Sequence, residues 1–384
     1  MTKPRVIHII TRLIAGGAQE NTILSCQGLA GSYDVTLVTG PPDGKEGSLL
    51  EDAARRSIRT VVIPELVRPV RPSRDAEALR RLCGILGAEH PQIVHTHSSK
   101  AGILGRAAAW CTRVPIVVHT NHGLPFYGEQ PAPVRAFYWL LEKACSGVTD
   151  HVVCVGEEMR RRFLEARLGP ARKLSVIPSG IETELFVEAR SARSCLGLPE
   201  EAPVVGVVSR MASHKGQRFL IEAARPEWHL LLVGDGEERA ALERQAASRG
   251  LKATFTGHVP PEAVPELIAS MDVLVHPSLW EGLPRAAVQA LLVGRPVVAF
   301  DCDGAREVVI DGVTGRLVTP KSVDGLRTAV DELLRRPDRG RSMGEEGRRR
   351  FRERFDARAA AAQLDALYRD LLRRVCPEGT PSVG

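Results

Sequence analysis

Apolar, β-branched runs alternate with helix-spaced stretches along almost the whole 384-residue chain, and they do so in two separate series. The first series has strands at Val6–Ile10, Asp34–Val38, Thr60–Ile63, Ile93–Thr96, Ile116–Thr120 and His151–Val155. Helical spacing falls between them, through Leu29 and over 75–86, 101–112, 134–145 and 157–166. Residues 178–188 break the rhythm, and a second series starts at Val204–Val208 and continues through Leu230–Val233, Thr254–Thr256, Val273–His276 and Val297–Phe300. Strands that are apolar on both faces and separated by helices belong to parallel sheets covered on each side. The pattern therefore predicts an α/β chain of two doubly wound, Rossmann-like domains with a boundary near 186–190. Ligands of such sheets bind beyond the carboxyl ends of the strands, so a cleft between the two carboxyl edges is the expected site.

Composition narrows the function classes. Hydrophobic residues make up 43% and charged residues 26%, so core size is not limiting. The net charge of +6 is small for this length; it does not argue for a nucleic-acid partner and suits anionic small molecules or an acidic membrane surface. The eight cysteines, at 26, 83, 111, 145, 154, 195, 302 and 376, form no CxxC pair, which excludes zinc and redox motifs and fits a reducing cytoplasm. The opening MTKPRVIHII reads as a buried strand rather than a signal peptide, and no apolar run reaches the roughly 20 residues of a membrane span. Arginine runs at 348–350 and 373–374 read as solvated helix faces, and the final PEGTPSVG as frayed.

Four places carry residues suited to chemistry. Gly16 and Gly17 follow the first strand, where paired glycines let backbone approach a ligand, although a plain tight turn has the same signature. Arg210 and Lys215 follow the strand ending at Val208, and two cations there suit a diphosphate, although the GxxxxGK[ST] order is absent. Glu281 precedes a helix opening near Pro284, in whose first turn Arg285 and Ala286 are expected to offer N–H groups to a phosphate. Gln289 lies two turns along the same helix. His122 stands at the carboxyl end of the strand Ile116–Thr120, well placed to act on a substrate. His95, His97 and His119 are better read as hydrogen-bonded structural histidines.

In order and spacing, GGAQ, VHTHSSKAG, VHTNHGLPF, IPSGIE, GVVSRMASHKG, LVGDGEE, FTGH, HPSLWEGLP and DGVTG resemble the retaining, nucleotide-sugar-dependent glycosyltransferases of family 4 (group 1), which have the two-domain GT-B fold. The resemblance covers nearly the whole chain. It implies an acceptor-binding domain at 1–187, a nucleotide-sugar domain at 188–357, and a helix at about 358–376 packing back on the first domain. It also implies roles. Gly16 and Gly17 would face the donor diphosphate and sugar, and His122 the sugar near its reacting carbon. Arg210 and Lys215 would hold the diphosphate and stabilise the leaving group. Glu281, the first acid of a Glu, seven residues, Glu signature, would contact sugar hydroxyls. Gly257 to Val259 would meet the base, while Gly282, Leu283, Arg285, Ala286 and Gln289 complete the donor site. Gln289 departs from the pattern, since the family has a second glutamate there. One charge-assisted contact to ribose becomes neutral, a loss of about 1 kcal/mol.

The resulting expectation is a hexosyl- or N-acetylhexosaminyltransferase that uses a UDP-sugar, needs no cofactor, and is metal-independent. Asp301 and Asp303 have DxD spacing but lie beyond the strand ending at Phe300. Five of the 17 aromatics, Phe126, Tyr127, Phe137, Tyr138 and Trp139, crowd around a helix that also carries Arg135 and Lys143. They read either as core packing or as a membrane-facing, lipid-acceptor surface, with Arg68, Arg71 and Arg74 adding attraction to anionic lipid. By analogy with similar transferases, the acceptor is a lipid-linked or polysaccharide intermediate of bacterial envelope synthesis, reached from the cytoplasm by peripheral contact with the inner membrane face. The rivals are a nucleotide-sugar 2-epimerase and a non-catalytic partner subunit.

Overall fold

The computed structural model describes residues 3–42, 47–126 and 130–375. Tyr127, Cys376 and the PEGTPSVG tail lie outside the described residues. The chain divides into two compact units. The first contains Ser48–Gly180, the strands before it, and the chain from Ala357; the second contains Ile181–Asp356.

In the first unit the elements run β1 (Arg5–Arg12), α1 (Gly17–Leu29), β2 (Asp34–Gly40), α2 (Leu50–Arg55), β3 (Arg59–Val62), α3 (Pro72–Glu89), β4 (Ile93–His97), α4 (Ser99–Cys111), β5 (Ile116–Asn121), α5 (Ala132–Gly147), β6 (His151–Cys154), α6 (Glu157–Glu165) and β7 (Leu174–Val176). The strands form one parallel sheet in the order β3-β2-β1-β4-β5-β6-β7. The order reverses between β1 and β4, which is the switch point of a doubly wound sheet. The pairing sets His8 beside His95 and His97 beside Thr120.

The second unit runs α7 (Thr183–Val187), β8 (Val204–Val208), α8 (Gln217–Ala223), β9 (His229–Val233), α9 (Arg239–Ser248), β10 (Lys252–Gly257), α10 (Val264–Ala269), β11 (Val273–His276), α11 (Arg285–Val293), β12 (Val297–Phe300), β13 (Gly315–Val318), α12 (Val323–Arg335) and α13 (Pro337–Phe351). Its sheet has the order β10-β9-β8-β11-β12-β13, with the switch between β8 and β11. Val205, Val207, Leu230, Leu232, Val273, Val275 and Val298 fill one face of the core without a polar break, which is why the strands read as continuous apolar runs.

The last helix, α14 (Ala357–Val375), belongs to the first unit. Leu364, Tyr368 and Leu371 sit in a cluster with Val6, Ile93 and Val118. Gly28 on α1 admits this helix: a side chain there would collide with Ala361. The first division of the chain falls at 180/181, not at 187/188. Residues 183–187 form α7, which packs its buried Phe186 within the second unit, so the boundary precedes that helix. The arginine runs also divide. Arg349 and Arg350 pair with Glu346 on the exposed helix face, whereas Arg348 donates to the carbonyls of Leu292 and Val293 and closes the end of α11. Among the described residues no helix is long and apolar enough to cross a membrane, and the described cysteines are all free thiols.

Candidate functional site

The carboxyl ends of β8, β11 and β12 carry a connected set of polar groups. After β8 the chain turns through Arg210 and a short 3-10 segment, Ser213–Lys215, into Gly216. Gly216 adopts a left-handed conformation with φ 70°, and a Cβ there would run into the carbonyl of Pro277. Only glycine allows the loop after β8 to lie this close to the loop after β11. Two further contacts hold the loops together: the Leu279 N–H donates to the His214 carbonyl at 2.8 Å, and the His214 and Trp280 rings stack at 4.9 Å.

This apposition brings Lys215 onto Glu281, which the two loops contribute from opposite sides. The ammonium of Lys215 donates to Glu281 Oε1, the Ser278 hydroxyl donates to the same oxygen at 2.9 Å, and His276 Nε2 lies 3.3 Å away, off the hydrogen-bonding axis. The pair is largely buried, with 18% and 14% of the two side chains exposed. Burial pushes the Glu281 carboxyl up, but the Lys215 charge and the His276 contact outweigh it and hold the group well below the usual carboxylate range. Burial, followed by the neighbouring Lys215 charge, lowers His214 to about 4, so its ring is neutral.

The third loop completes the frame. The Glu281 N–H donates to Asp303 Oδ2 at 2.7 Å, the Cys302 thiol donates to the Ser278 carbonyl, and Gly304 approaches the Gly282 carbonyl closely. Asp301 pairs with Arg306. On the other side, Gln217 donates to Ser209 Oγ and to the Arg210 carbonyl, both at 2.8 Å, which fixes the turn carrying Arg210. The Gly-Asp-Gly turn after β9 abuts the same segment, with Gly234 against Ser209 and Gly236 against Met211. Gly257 pairs with Gly234 at the end of β10, and Val259 follows it.

One expectation is corrected. The Arg285 N–H does not stay open for a phosphate: it donates to the Leu283 carbonyl at 2.9 Å, and the Ala287 and Val288 N–H groups both turn to Pro284. Pro284, with ψ 78°, opens α11 with a tight local turn that uses the first donor. Gly282 and Leu283 lie in the Glu281 loop itself, Ala286 is buried in the first turn of α11, and Gln289 is half-buried further along.

In the first unit, Gly16 caps α1 in an extended conformation, where any residue is allowed; a Cβ would meet only the flexible end of Gln19. Gly17 opens the helix. His122 follows β5, and its Nε2 lies 3.2 Å from His97 Nδ1. His97 in turn meets His8, and His8 and His95 share the hydroxyl of Tyr368. His119 points to the opposite face and bonds Thr96. His8, His95, His97 and His119 are all buried and hydrogen-bonded, and burial lowers each well below the ordinary histidine range. Sequence reasoning missed Ser278, Asp303 and Gln217 as supports of the cradle, and His8 and Tyr368 as members of the histidine row. The HTH triplet marked part of that row, but its partners come from remote segments.

Part of the aromatic cluster packs into the core. Phe126 and Trp139 pack on the β6–α6 core, and the Trp139 indole donates to the Ala166 carbonyl. Val134, Phe137 and Leu140 line an exposed stripe of α5, with Phe137 53% and Leu140 58% exposed.

Two family models match the chain: "Glycosyltransferase Family 4" over residues 15–185, and "Glycosyl transferases group 1" over 189–350. An Escherichia coli protein, UDP-Gal:alpha-D-GlcNAc-diphosphoundecaprenol alpha-1,3-galactosyltransferase, is 29% identical over 343 residues, covering 86% of this chain and 87% of its own. Alpha-maltose-1-phosphate synthase of Mycolicibacterium smegmatis is 31% identical over 310 residues, 73% of this chain and 80% of its own. Among solved structures, Anabaena HepE with UDP and glucose matches with a TM-score of 0.81 at 22% identity, over 95% of this chain and 99% of its own. Sucrose-phosphate synthase of Thermosynechococcus elongatus matches with a TM-score of 0.80 at 25% identity, over 96% and 100%.

Proposed function

Since the chain belongs to the family 4, group 1 glycosyltransferases with the GT-B fold, we propose that it moves a hexosyl or N-acetylhexosaminyl group from a UDP-sugar, with retention, to a lipid-linked or polysaccharide acceptor of a bacterial envelope glycan. The observation that carries the reading is the buried Lys215–Glu281 pair, clamped at the switch point of the second sheet by the Gly216–Pro277 approach. It is a fixed cation with a fixed acceptor beside it, held by contacts from the chain itself.

In the proposed reaction the bond between the anomeric carbon and the diphosphate oxygen breaks, and negative charge grows on the leaving group. Arg210 and Lys215 stabilise that charge in place, which is the electrostatic contribution that preorganised groups make best. Glu281 accepts from a sugar hydroxyl while continuing to orient Lys215. The acceptor oxygen bonds to the same face of the carbon, and its proton passes to the departing phosphate oxygen. His122, Gly16 and Gly17 act on the donor sugar and diphosphate; Gly257 and Val259 meet the base, with Gly282, Leu283, Ala286 and Gln289 around the nucleotide. Arg285, whose N–H is engaged locally by the Leu283 carbonyl, adds no backbone donor to this set. No metal is required in this scheme, because two cations occupy the role.

The E. coli relative's name, with its GlcNAc-diphosphoundecaprenol, supports the lipid-linked reading. The exposed Val134, Phe137 and Leu140 stripe supports peripheral membrane contact. The deciding experiment is a thermal-shift panel of UDP-, GDP-, ADP- and dTDP-sugars, since the bound ligand raises the melting point by mass action, followed by donor turnover with and without acceptor. Selective stabilisation by one nucleotide-sugar, and loss of turnover in Lys215→Ala, are expected. Steady release of UDP and a new free sugar from donor alone would instead mark an epimerase.

A further inference from the structure

Behind His122, the buried histidines of the first unit form a row to which no donor-site role has been given. Thr120 Oγ1 lies 2.7 Å from His95 Nε2; His95 Nδ1 lies 2.5 Å from the Tyr368 hydroxyl; that hydroxyl lies 3.3 Å from His8 Nε2. His8 Nδ1 then meets His97 Nε2 at 2.9 Å, and His97 Nδ1 meets His122 Nε2 at 3.2 Å. The row is continuous from Thr120 to His122. Three strands supply it on one face of the sheet, and α14 closes it by delivering Tyr368, which is fully buried.

His8, His95 and His97 also bring nitrogens within 4.8 Å of one another, but the His95 and His97 rings stack 4.4 Å apart with planes differing by 24°, and His8 Nδ1 is spent on His97 Nε2 at 2.9 Å. Imidazole lone pairs lie in the ring plane, so stacked rings aim them side by side rather than at one metal ion. The nitrogens are aimed along the row instead.

A neutral imidazole has one N–H and one acceptor nitrogen. In an unbroken row of such rings each hydrogen bond fixes the direction of the next. Two arrangements satisfy every bond and also use the phenol proton within the row: all four histidines carry the proton on Nε2, or all four carry it on Nδ1; a third, in which His95 Nδ1–H and His8 Nε2–H both donate to the Tyr368 oxygen, leaves the buried phenol proton without an acceptor in the row. The distances choose between the first two. The 2.5 Å contact at His95 suits the phenol O–H donating, because O–H donors make the shorter bonds, and the 3.3 Å contact suits a His8 N–H donating to the phenol oxygen.

We propose that Tyr368, His8 and His97 are positioning residues that lock His122 as its Nε2–H tautomer, leaving Nδ1 as the acceptor nitrogen for a sugar hydroxyl. The inference rests on the proposed role of His122 toward the donor sugar. The C-terminal helix thereby acts on the site through its one buried tyrosine, and the row removes the tautomer exchange that a solvent-exposed histidine undergoes.

The test is a long-range proton–nitrogen correlation spectrum of protein labelled with 15N-histidine at pH 7, with peaks assigned by single His→Gln variants. His8, His95, His97 and His122 are expected to be neutral Nε2–H tautomers. Tyr368→Phe removes the hydroxyl and keeps the ring; His8, His97 and His122 should then show mixed tautomers. Donor turnover should fall about tenfold, the factor that one lost hydrogen bond supplies, with KM little changed. Thr120→Val removes the hydroxyl at the far end from His122; with the Tyr368 hydroxyl still in place, His8, His97 and His122 should keep their Nε2–H tautomers. An Nδ1–H pattern, unchanged tautomers and turnover in Tyr368→Phe, or stoichiometric zinc bound in the purified protein, would overturn the proposal. The spectrum reads the row without turnover, so its result stands apart from whether the donor assignment holds.

Discussion

Replacing Lys215 by methionine isolates the interaction on which the cradle depends. Methionine keeps most of the side-chain volume and deletes the charge, so Glu281 loses its strongest partner inside a site where only 14% of its side chain is exposed. Removing one member of a fully buried pair costs about 3–5 kcal/mol; the residual exposure here points to the lower end, about 3 kcal/mol. For a unit of this size that corresponds to a fall of about 6–12 °C in the melting temperature of the second unit. The pH dependence carries a sign. In the native protein the Glu281 carboxyl is held down, so its contribution is present above the ordinary glutamate range near 4.3 and is lost as pH falls below it. Without Lys215, burial becomes the leading influence and raises the carboxyl, so the variant loses stability as pH rises through that raised value. The gap between native protein and variant should therefore narrow from pH 8 to pH 5. Adding Glu281→Gln to Lys215→Met should recover much of the lost stability, because the stranded charge is gone. Scanning calorimetry of the four proteins at both pH values gives the cycle. A native-like melting temperature for Lys215→Met, or strictly additive effects of the two substitutions, would refute the reasoning.

Three other outcomes follow from the same contacts. Gly216→Ala should lose roughly 1–2 kcal/mol from the left-handed backbone alone, and the collision with Pro277 should displace Lys215, so donor turnover should drop by about 100-fold, as for other small misplacements in active sites. Gln289→Glu should hold or lower the donor KM in steady-state assays; a large rise would assign the side chain another task. Phe137→Ser with Leu140→Ser should weaken sedimentation with anionic phospholipid vesicles while leaving the melting temperature within about 1 °C, since both are surface residues.

The two sheets were legible because their strands are uninterrupted β-branched runs, and the cradle because its residues follow those strands at the carboxyl edge. The reading missed β7 and β13, whose sequences LSV and GRLV are interrupted by serine, glycine and arginine and so carry no continuous apolar run. It placed the domain boundary after α7, because a five-residue helix with one buried aromatic does not reveal which core it joins. It left Arg285 with an open N–H, since the turn at Pro284 depends on a backbone angle that composition does not encode. The histidine row was the least legible feature. His8 and His95 become neighbours only because β1 pairs with β4, and Tyr368 arrives from the far end of the chain. Nothing in the spacing of HTH or HTNH specifies either partner.

The central claim is that the loop after β8 holds the diphosphate of an activated sugar. Calorimetric titration of the nucleoside diphosphate that stabilises the protein best, into native protein, Arg210→Ala, Lys215→Ala and His122→Gln, tests it most directly. Loss of one charge-assisted bond, about 1.5–3 kcal/mol, should weaken binding by about 10- to 100-fold in each cation variant, while His122→Gln, whose proposed contact is with the sugar, should bind the diphosphate as the native protein does. Affinities within twofold of native for both Arg210→Ala and Lys215→Ala would contradict the account.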